Sequence, residues 1–263
     1  MTTKAVHAVA KHGFVNASLY DKARPGFPRE ALASLLPLLL DPATANVLEI
    51  GSGTGKFTSL LHHDAKITNL VAVEPSQGMR ATFATLFPDV RCVDGTATAL
   101  PVADNSQDAL FVAQAFHWFD NRDALREFRR VLKPNGTLGL IWNMEDASTP
   151  WVAQLRTIYE AYDGVAPQYR TGKWAHVFAA SPDLFGPLTH TCIRRNVPVA
   201  SKEQIWERVL SKSYISTATS DVQARVKADV MAILDAAEFD IDASGCILYP
   251  YVTDIYVTTP TPE

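Results

Sequence analysis

The chain has 263 residues, 47% of them hydrophobic and 20% charged, with a formal net charge of -4. That length suits one large α/β domain, and the acidic balance argues against a general nucleic-acid binder, whose surface is basic. Cys92, Cys192 and Cys246 stand far apart with no CxxC pair or Cys/His cluster, so neither a zinc site nor a disulfide framework is expected. The opening MTTKAVHAVAKHGF lacks the apolar core of a secretory signal, and no run reaches the roughly 18 apolar residues of a membrane span. LASLLPLLL (32–40) is the greasiest run, but it is short and broken by Pro37. The expectation is a cytoplasmic protein that binds neither membrane nor nucleic acid.

Taken in chain order, apolar runs alternate with helical patterns. NVLEIG (46–51) reads as a buried strand and GKFTSLLHH (55–63) as a helix with Phe57, Leu60 and Leu61 on one face. NLVAVEP (69–75) is a second strand. SQGMRATFATLFP (76–88) is a helix capped by Ser76 and stopped by Pro88. DVRCVDG (89–95) and DALFVAQ (108–114) are the third and fourth strands. RDALREFRRVLKPNG (122–136) is an amphipathic helix ended by Pro134 and Gly136, and TLGLIWN (137–143) is the fifth strand. Strands apolar on both faces and joined by helices imply a parallel sheet covered on both sides, wound in both directions by right-handed crossovers.

The second half is less regular. Residues 149–164, 201–214 and 220–238 read as helices, and 189–200 and 246–260 as strands. No linker separates two folding units. The expectation is one domain, 1–263, with a core over 14–145, helical and loop cover elements over 146–240 and a last strand segment over 241–260. In class it is α/β, a doubly wound, mostly parallel, seven-stranded, Rossmann-like sheet whose C-terminal helices cover the active end.

VLEIGSGTGKF (47–57) places glycines at 51, 53 and 55. It fails the GxxxxGK[ST] phosphate loop at Ile50 and Phe57, and it fails GxGxxG at Lys56. Glu74, at the end of the second strand, holds the position from which a carboxylate accepts hydrogen bonds from ribose hydroxyls. Glu74 would also cap the helix that follows. A ribose is expected there and a pyrophosphate is not required.

These residues, with VAVEPS (71–76), GTATALPVADNSQDALFVAQAFHWFD (95–120), LREFRRVLKPNGTLGLIWN (125–143) and YDKARPGFP (20–28), resemble the class I S-adenosylmethionine-dependent methyltransferases, specifically the type 11 group. The resemblance covers about residues 14–145. It implies S-adenosylmethionine as cofactor, S-adenosylhomocysteine as product and methyl transfer to a small-molecule acceptor. It also implies a cofactor site formed by Tyr20, Arg24, Glu49, Gly51, Ser52, Gly53, Glu74, Pro75, Thr96, Ala97 and Gln114. Gln114 approaches the methionyl amine, and Arg24 is a partner for the methionine carboxylate or a surface ion pair. Related sequences carry an acid or amide where this one reads Gly95-Thr96-Ala97-Thr98, so adenine falls to Thr96, to Asp94 or to backbone groups.

After the fourth strand comes AFHWFDN (115–121), where aromatics can wall a transfer chamber and face a sulfonium. His117 is the candidate base, since histidine titrates near neutral pH. The alternative is a histidine bonded to the backbone as structure. Trp118, Trp142 and Asn143 are candidates for substrate contact. A carboxylate acceptor needs no base and favours arginine, for which Arg170, Arg194 and Arg195 are available. No paired carboxylates point to a metal. A second reading keeps the pocket without methyl transfer, for partner binding or rearrangement catalysis.

Overall fold

The computed structural model describes residues 22–39, 41–164 and 166–262. Five apolar runs form parallel neighbours: β1 (Val47–Ile50), β2 (Leu70–Val73), β3 (Arg91–Val93), β4 (Gln107–Ala113) and β5 (Leu132–Glu145). β6 (Thr189–Val199) and β7 (Ile247–Thr258) complete a seven-stranded sheet, ordered β3-β2-β1-β4-β5-β7-β6. β7 runs antiparallel to both β5 and β6. The sheet is thus seven-stranded and mostly parallel, as the sequence implied.

Side-chain alternation assigns each residue of the central strands to a face. Val47, Ala109, Phe111 and Ile141 join one apolar cluster with Phe57 and Phe83. Leu48, Leu110, Val112, Leu138, Leu140 and Trp142 join the other, with Phe116, Phe128 and Trp174. The helices α1 (Leu32–Leu35), α2 (Lys56–Ser59), α3 (Gln77–Leu86) and α4 (Arg122–Val131) flank this sheet. Asn121 caps α4 by accepting from the Ala124 amide at 3.1 Å, and Ser76 caps α3 as its sequence position indicated.

Three helical expectations change. The expected helix 122–136 ends at Val131, and Leu132 already belongs to β5. A proline at 134 disfavours the helical conformation at Lys133, so the helix stops short of it. Lys133 instead pairs with Asp108 of β4 at 2.8 Å. The expected helix 201–214 divides at Ser211 into α7 (Lys202–Leu210) and α8 (Ser213–Ser216). Between them, the Ser211 hydroxyl donates back to the Arg208 carbonyl at 2.7 Å. The segment 55–63 is also divided, with α2 passing into a π turn, Leu60–Asp64.

Beyond β5, α5 (Pro150–Glu160), α6 (His176–Ala179), α7, α8 and α9 (Ser220–Ala236) build the remaining half. α5, α7, α9 and the first part of β7 share a third apolar cluster, with Trp151, Leu155, Trp206, Val230 and Tyr249 inside. Among the described residues no helix is long and apolar enough to cross a membrane.

Helix α1 approaches the sheet over a glycine. A methyl on Gly139 would sit 2.6 Å from Phe111 Cδ1 and 3.2 Å from Leu35 Cδ2. Gly139→Ala is therefore expected to destabilise the fold by about 1–3 kcal/mol through overpacking. The check is a lower denaturant midpoint at unchanged m-value; an unchanged midpoint would mean that α1 yields freely.

Candidate functional site

The carboxyl ends of β1, β2, β4 and β5 open on the same edge of the sheet, where open α/β sheets bind ligands. The chain leaves β1 through Gly51 at φ 69° and Gly53 at φ 58°, both in the left-handed region. The Gly51 amide donates to the Val73 carbonyl at 2.8 Å, which fixes the loop to β2. A methyl on Gly51 would meet the Ala115 Cβ at 2.7 Å, whereas one on Gly53 would meet nothing within 4 Å. The first glycine thus serves packing, and the second leaves open space above the backbone.

Glu74 closes that loop from the side. One carboxylate oxygen accepts from the Gly53 amide at 3.0 Å and the other from the Ser76 amide at 2.8 Å. Burial pushes its carboxyl above the usual range, and the two amide donors oppose that shift. Pro75 follows, half-buried. Glu49, on β1, has no exposed surface. Thr58 donates to one of its oxygens at 2.6 Å, while Oε1 is buried with no partner among the described residues. Ser52 lies buried beside Cys92, their Oγ and Sγ 4.0 Å apart. Beyond β3, Ala97 is buried and the Thr96 hydroxyl lies 3.4 Å from that of Thr98. Asp94 turns outward to pair with Arg80 at 2.9 Å and is largely exposed.

At the ends of β4 and β5 the chain lines an open cleft. Arg24, Gln114, His117, Trp118 and Asn143 line it, together with Met144, Tyr159, Glu160, Tyr169, Arg170, Arg208, Lys212, Ser213 and Tyr214 among others. Gln114 adopts φ 56°, a conformation unusual outside glycine, and its side-chain Nε2 donates to the Asn143 carbonyl at 2.7 Å. Asn143 donates to the Gly26 carbonyl at 3.1 Å and accepts from Thr253 at 2.6 Å, so it ties the N-terminal segment to β5 and β7. Arg24 donates to the Ser211 carbonyl at 3.1 Å. Tyr20 lies outside the described residues.

His117 does not have the geometry of a base. It is buried, and its Nδ1 accepts from the Trp142 indole N–H at 3.2 Å. An indole nitrogen only donates, so Nδ1 is the unprotonated nitrogen and Nε2 carries the proton. Burial, with the charge of Arg24 adding to it, pushes the imidazole down to about 3. The group is a neutral donor across the physiological range. Trp142 likewise departs from the substrate contact expected of it. It has no exposed surface, stacks on Tyr169 at 4.4 Å and packs at a tilt against Trp174 at 4.7 Å, because its place in the alternation of β5 turns it into the apolar layer. Arg194 pairs with Asp146, and Arg195 donates to the Gly26 carbonyl. Of the three candidate arginines, only Arg170 lines the cleft.

The methyltransferase domain family matches residues 48–140. An uncharacterized methyltransferase of Mycobacterium tuberculosis is 33% identical over 238 residues, 89% of each chain. An uncharacterized methyltransferase-like protein of Schizosaccharomyces pombe is 40% identical over 161 residues, 60% of this chain and 62% of that one. Among solved structures, the YcgJ protein of Bacillus subtilis superposes with a TM-score of 0.55 at 21% identity, over 90% of this chain and 100% of that one. A phosphoethanolamine N-methyltransferase of Haemonchus contortus, in complex with phosphomonomethylethanolamine and S-adenosylhomocysteine, gives 0.58 at 12% identity, over 99% of this chain and 61% of that one. The chain belongs to the class I S-adenosylmethionine-dependent methyltransferases.

S-adenosylmethionine is accordingly the cofactor of this methyltransferase, and the edge of its sheet fits that group. Gly53 offers bare backbone under open space, and the buried Oε1 of Glu49 lacks a donor. Each oxygen of Glu74 keeps a lone pair beyond the amide it already accepts from.

Sequence reasoning did not find Glu145, Arg208 and Lys212. Glu145 ends β5 with no exposed surface, and Arg208 of α7 meets it at 2.8 Å. Lys212 meets the same oxygen at 3.1 Å from the turn before α8, and its ammonium also sits 4.2 Å from the centre of the Tyr159 ring. Arg208 donates further to the Tyr251 hydroxyl at 3.1 Å. Lys212 lies 67 residues along the chain from Glu145, and no local pattern announces such a pair.

Burial, with the charge of Glu74 adding to it, pushes the Glu49 carboxyl up to about 8. The folded chain therefore keeps a proton that the unfolded chain loses near its ordinary value of 4.5. Between those two values the unfolded state binds fewer protons, so stability falls as pH rises. Glu49→Gln is expected to remove that fall. The apoprotein variant should melt near wild type at pH 5 and roughly 10 °C above it at pH 8, since about 3 kcal/mol is lost by wild type over that range at about 2–4 °C per kcal/mol. Parallel melting curves across that range would contradict the assignment.

Proposed function

We propose that this methyltransferase transfers a methyl group to a small-molecule acceptor bound in the cleft between the strand ends and the α5–α8 cover. The observation that carries the reading is the pairing of an open glycine loop with the amide-clamped carboxylate of Glu74, on the same edge of the sheet as the cleft. In this reading Gly51, Ser52 and Gly53 pass under the cofactor, and Glu74 with Pro75 takes the ribose edge. Thr96 and Ala97 take the adenine side, with backbone groups in place of the missing acid. Asp94 is set aside because it turns outward to pair with Arg80. Glu49 and Gln114 serve the methionyl amine, and Arg24 its carboxylate.

The cofactor supplies a methyl group on a positively charged sulfur. The chain's own part is to align the acceptor, keep water out and stabilise the charges of the approach. Trp118 forms a half-buried wall of the cleft, and Asn143 holds the N-terminal segment against β5. His117 orients Trp142 and the aromatic layer under the site and removes no proton. Rate should therefore show no dependence on a histidine titrating between pH 5 and 8.

Calorimetric titration tests the pocket. S-adenosylhomocysteine is expected to bind in the micromolar range and NADH to show no heat. Gly53→Val fills the open space and strains a left-handed backbone, and Glu74→Gln cannot accept equally from both amides; each should weaken binding at least tenfold. NADH binding, or unchanged affinity in both variants, would overturn the assignment.

A further inference from the structure

Four charged residues of the cleft, Glu160, Arg170, Arg208 and Lys212, remain outside the cofactor reading. Lys212 and Arg208 share the single carboxylate of Glu145, which leaves one positive charge on a buried triad. Both cations line the cleft while Glu145 stays behind them. Among the described residues the one acid that lines the cleft, Glu160, is already held by Arg156 and Arg170, each at 2.8 Å. Arg170 in turn pairs with Asp163. With Arg24 set aside, four cations in this group stand against three carboxylates, so the wall keeps an excess of positive charge.

Such an excess in a poorly solvated wall favours an anion strongly, because charge interactions strengthen as the local dielectric falls. It also disfavours a protonated amine, which would approach a cationic wall and a cationic donor together. The cleft offers no histidine base, since the unprotonated nitrogen of His117 is taken by Trp142. An acceptor that arrives deprotonated needs none.

We propose that the acceptor is a small carboxylic acid, bound as its anion against Lys212 and Arg208 and methylated on a carboxylate oxygen. This rests on the methyl-transfer reading above and names the substrate class of the same site. The carboxylate oxygen forms the new O–C bond as the S–C bond breaks. The electron pair of that bond stays on sulfur, no proton moves, and the products are a methyl ester and a neutral thioether. Burial pushes the Lys212 ammonium down to about 7, with the charge of Arg208 adding to that shift, so an arriving carboxylate would also restore its full charge.

Lys212→Met tests this without orphaning a buried charge, because Glu145 and Arg208 remain as a neutral pair. Succinate and propane-1,2,3-tricarboxylate are titrated calorimetrically into protein saturated with S-adenosylhomocysteine, with succinamide as the uncharged isostere. At least one acid should bind tenfold or more tightly than succinamide. Lys212→Met should weaken that binding at least tenfold, Lys212→Arg should retain most of it, and S-adenosylhomocysteine affinity should stay within twofold in both variants, which also reports their folding. With S-adenosylmethionine, the bound acid should yield a product 14 mass units heavier, labile to base as an ester is. Equal binding of acid and amide, indifference to Lys212→Met, or turnover of phenols or amines with none of the acids would overturn the proposal. Failure of the wild type to bind S-adenosylhomocysteine would strike the cofactor reading instead, and acid binding without it would leave the anion site standing.

Discussion

Glu145 is a carboxylate with no exposed surface at the last position of the central strand β5, and the second half of the protein is arranged around meeting its charge. Arg208 and Lys212, on either side of the break between α7 and α8, supply that charge. Removing one partner from a buried pair costs about 3–5 kcal/mol, because the other is left uncompensated. The cover therefore cannot slide along the sheet without stranding Glu145, and its position over the strand ends is fixed. The break at Ser211 follows from the same constraint: it lets two consecutive segments present cations to one oxygen.

A second carboxylate does comparable work on the other side of the cleft. Glu74 binds the Gly53 amide and the Ser76 amide, so it joins the turn after β1 to the start of α3. The loop is held by these bonds, and the close approach of Ala115 leaves no room for a side chain at Gly51. Glu49, buried two residues before that loop, keeps an oxygen in reserve. The two edges differ in kind. The side of the glycine loop is built of backbone and carboxylates, chemistry suited to hydroxyls and an ammonium, and the cover side is built of cations and aromatic rings.

The sheet was legible because its central strands are apolar on both faces and their lengths are set by turns that the sequence states outright. β1, β2 and β4 fall within a residue or two of their apolar runs. The early end of α4 was legible in principle, since Pro134 forbids a helix through Lys133. The burial of Trp142 was legible too, because residues 138, 140 and 142 share one face of β5. Aromatic character at a strand end suggested a pocket, and the alternation of the strand decided otherwise. The residues from Glu49 to Glu74 that we propose for the cofactor could be singled out from the sequence because they lie at the ends of two successive strands, β1 and β2. The Glu145–Arg208–Lys212 triad could not, because its partners meet only after the cover folds back across the sheet. The role of His117 depends likewise on Trp142, which belongs to a different strand.

The most direct test of the whole arrangement is a crystal structure of the protein with S-adenosylhomocysteine. The account predicts the ribose hydroxyls within hydrogen-bonding distance of Glu74, the nucleoside crossing Gly53, and the thioether sulfur facing the cleft lined by Trp118 and Lys212. A nucleoside bound away from Glu74, or a sulfur turned from that cleft, would contradict it.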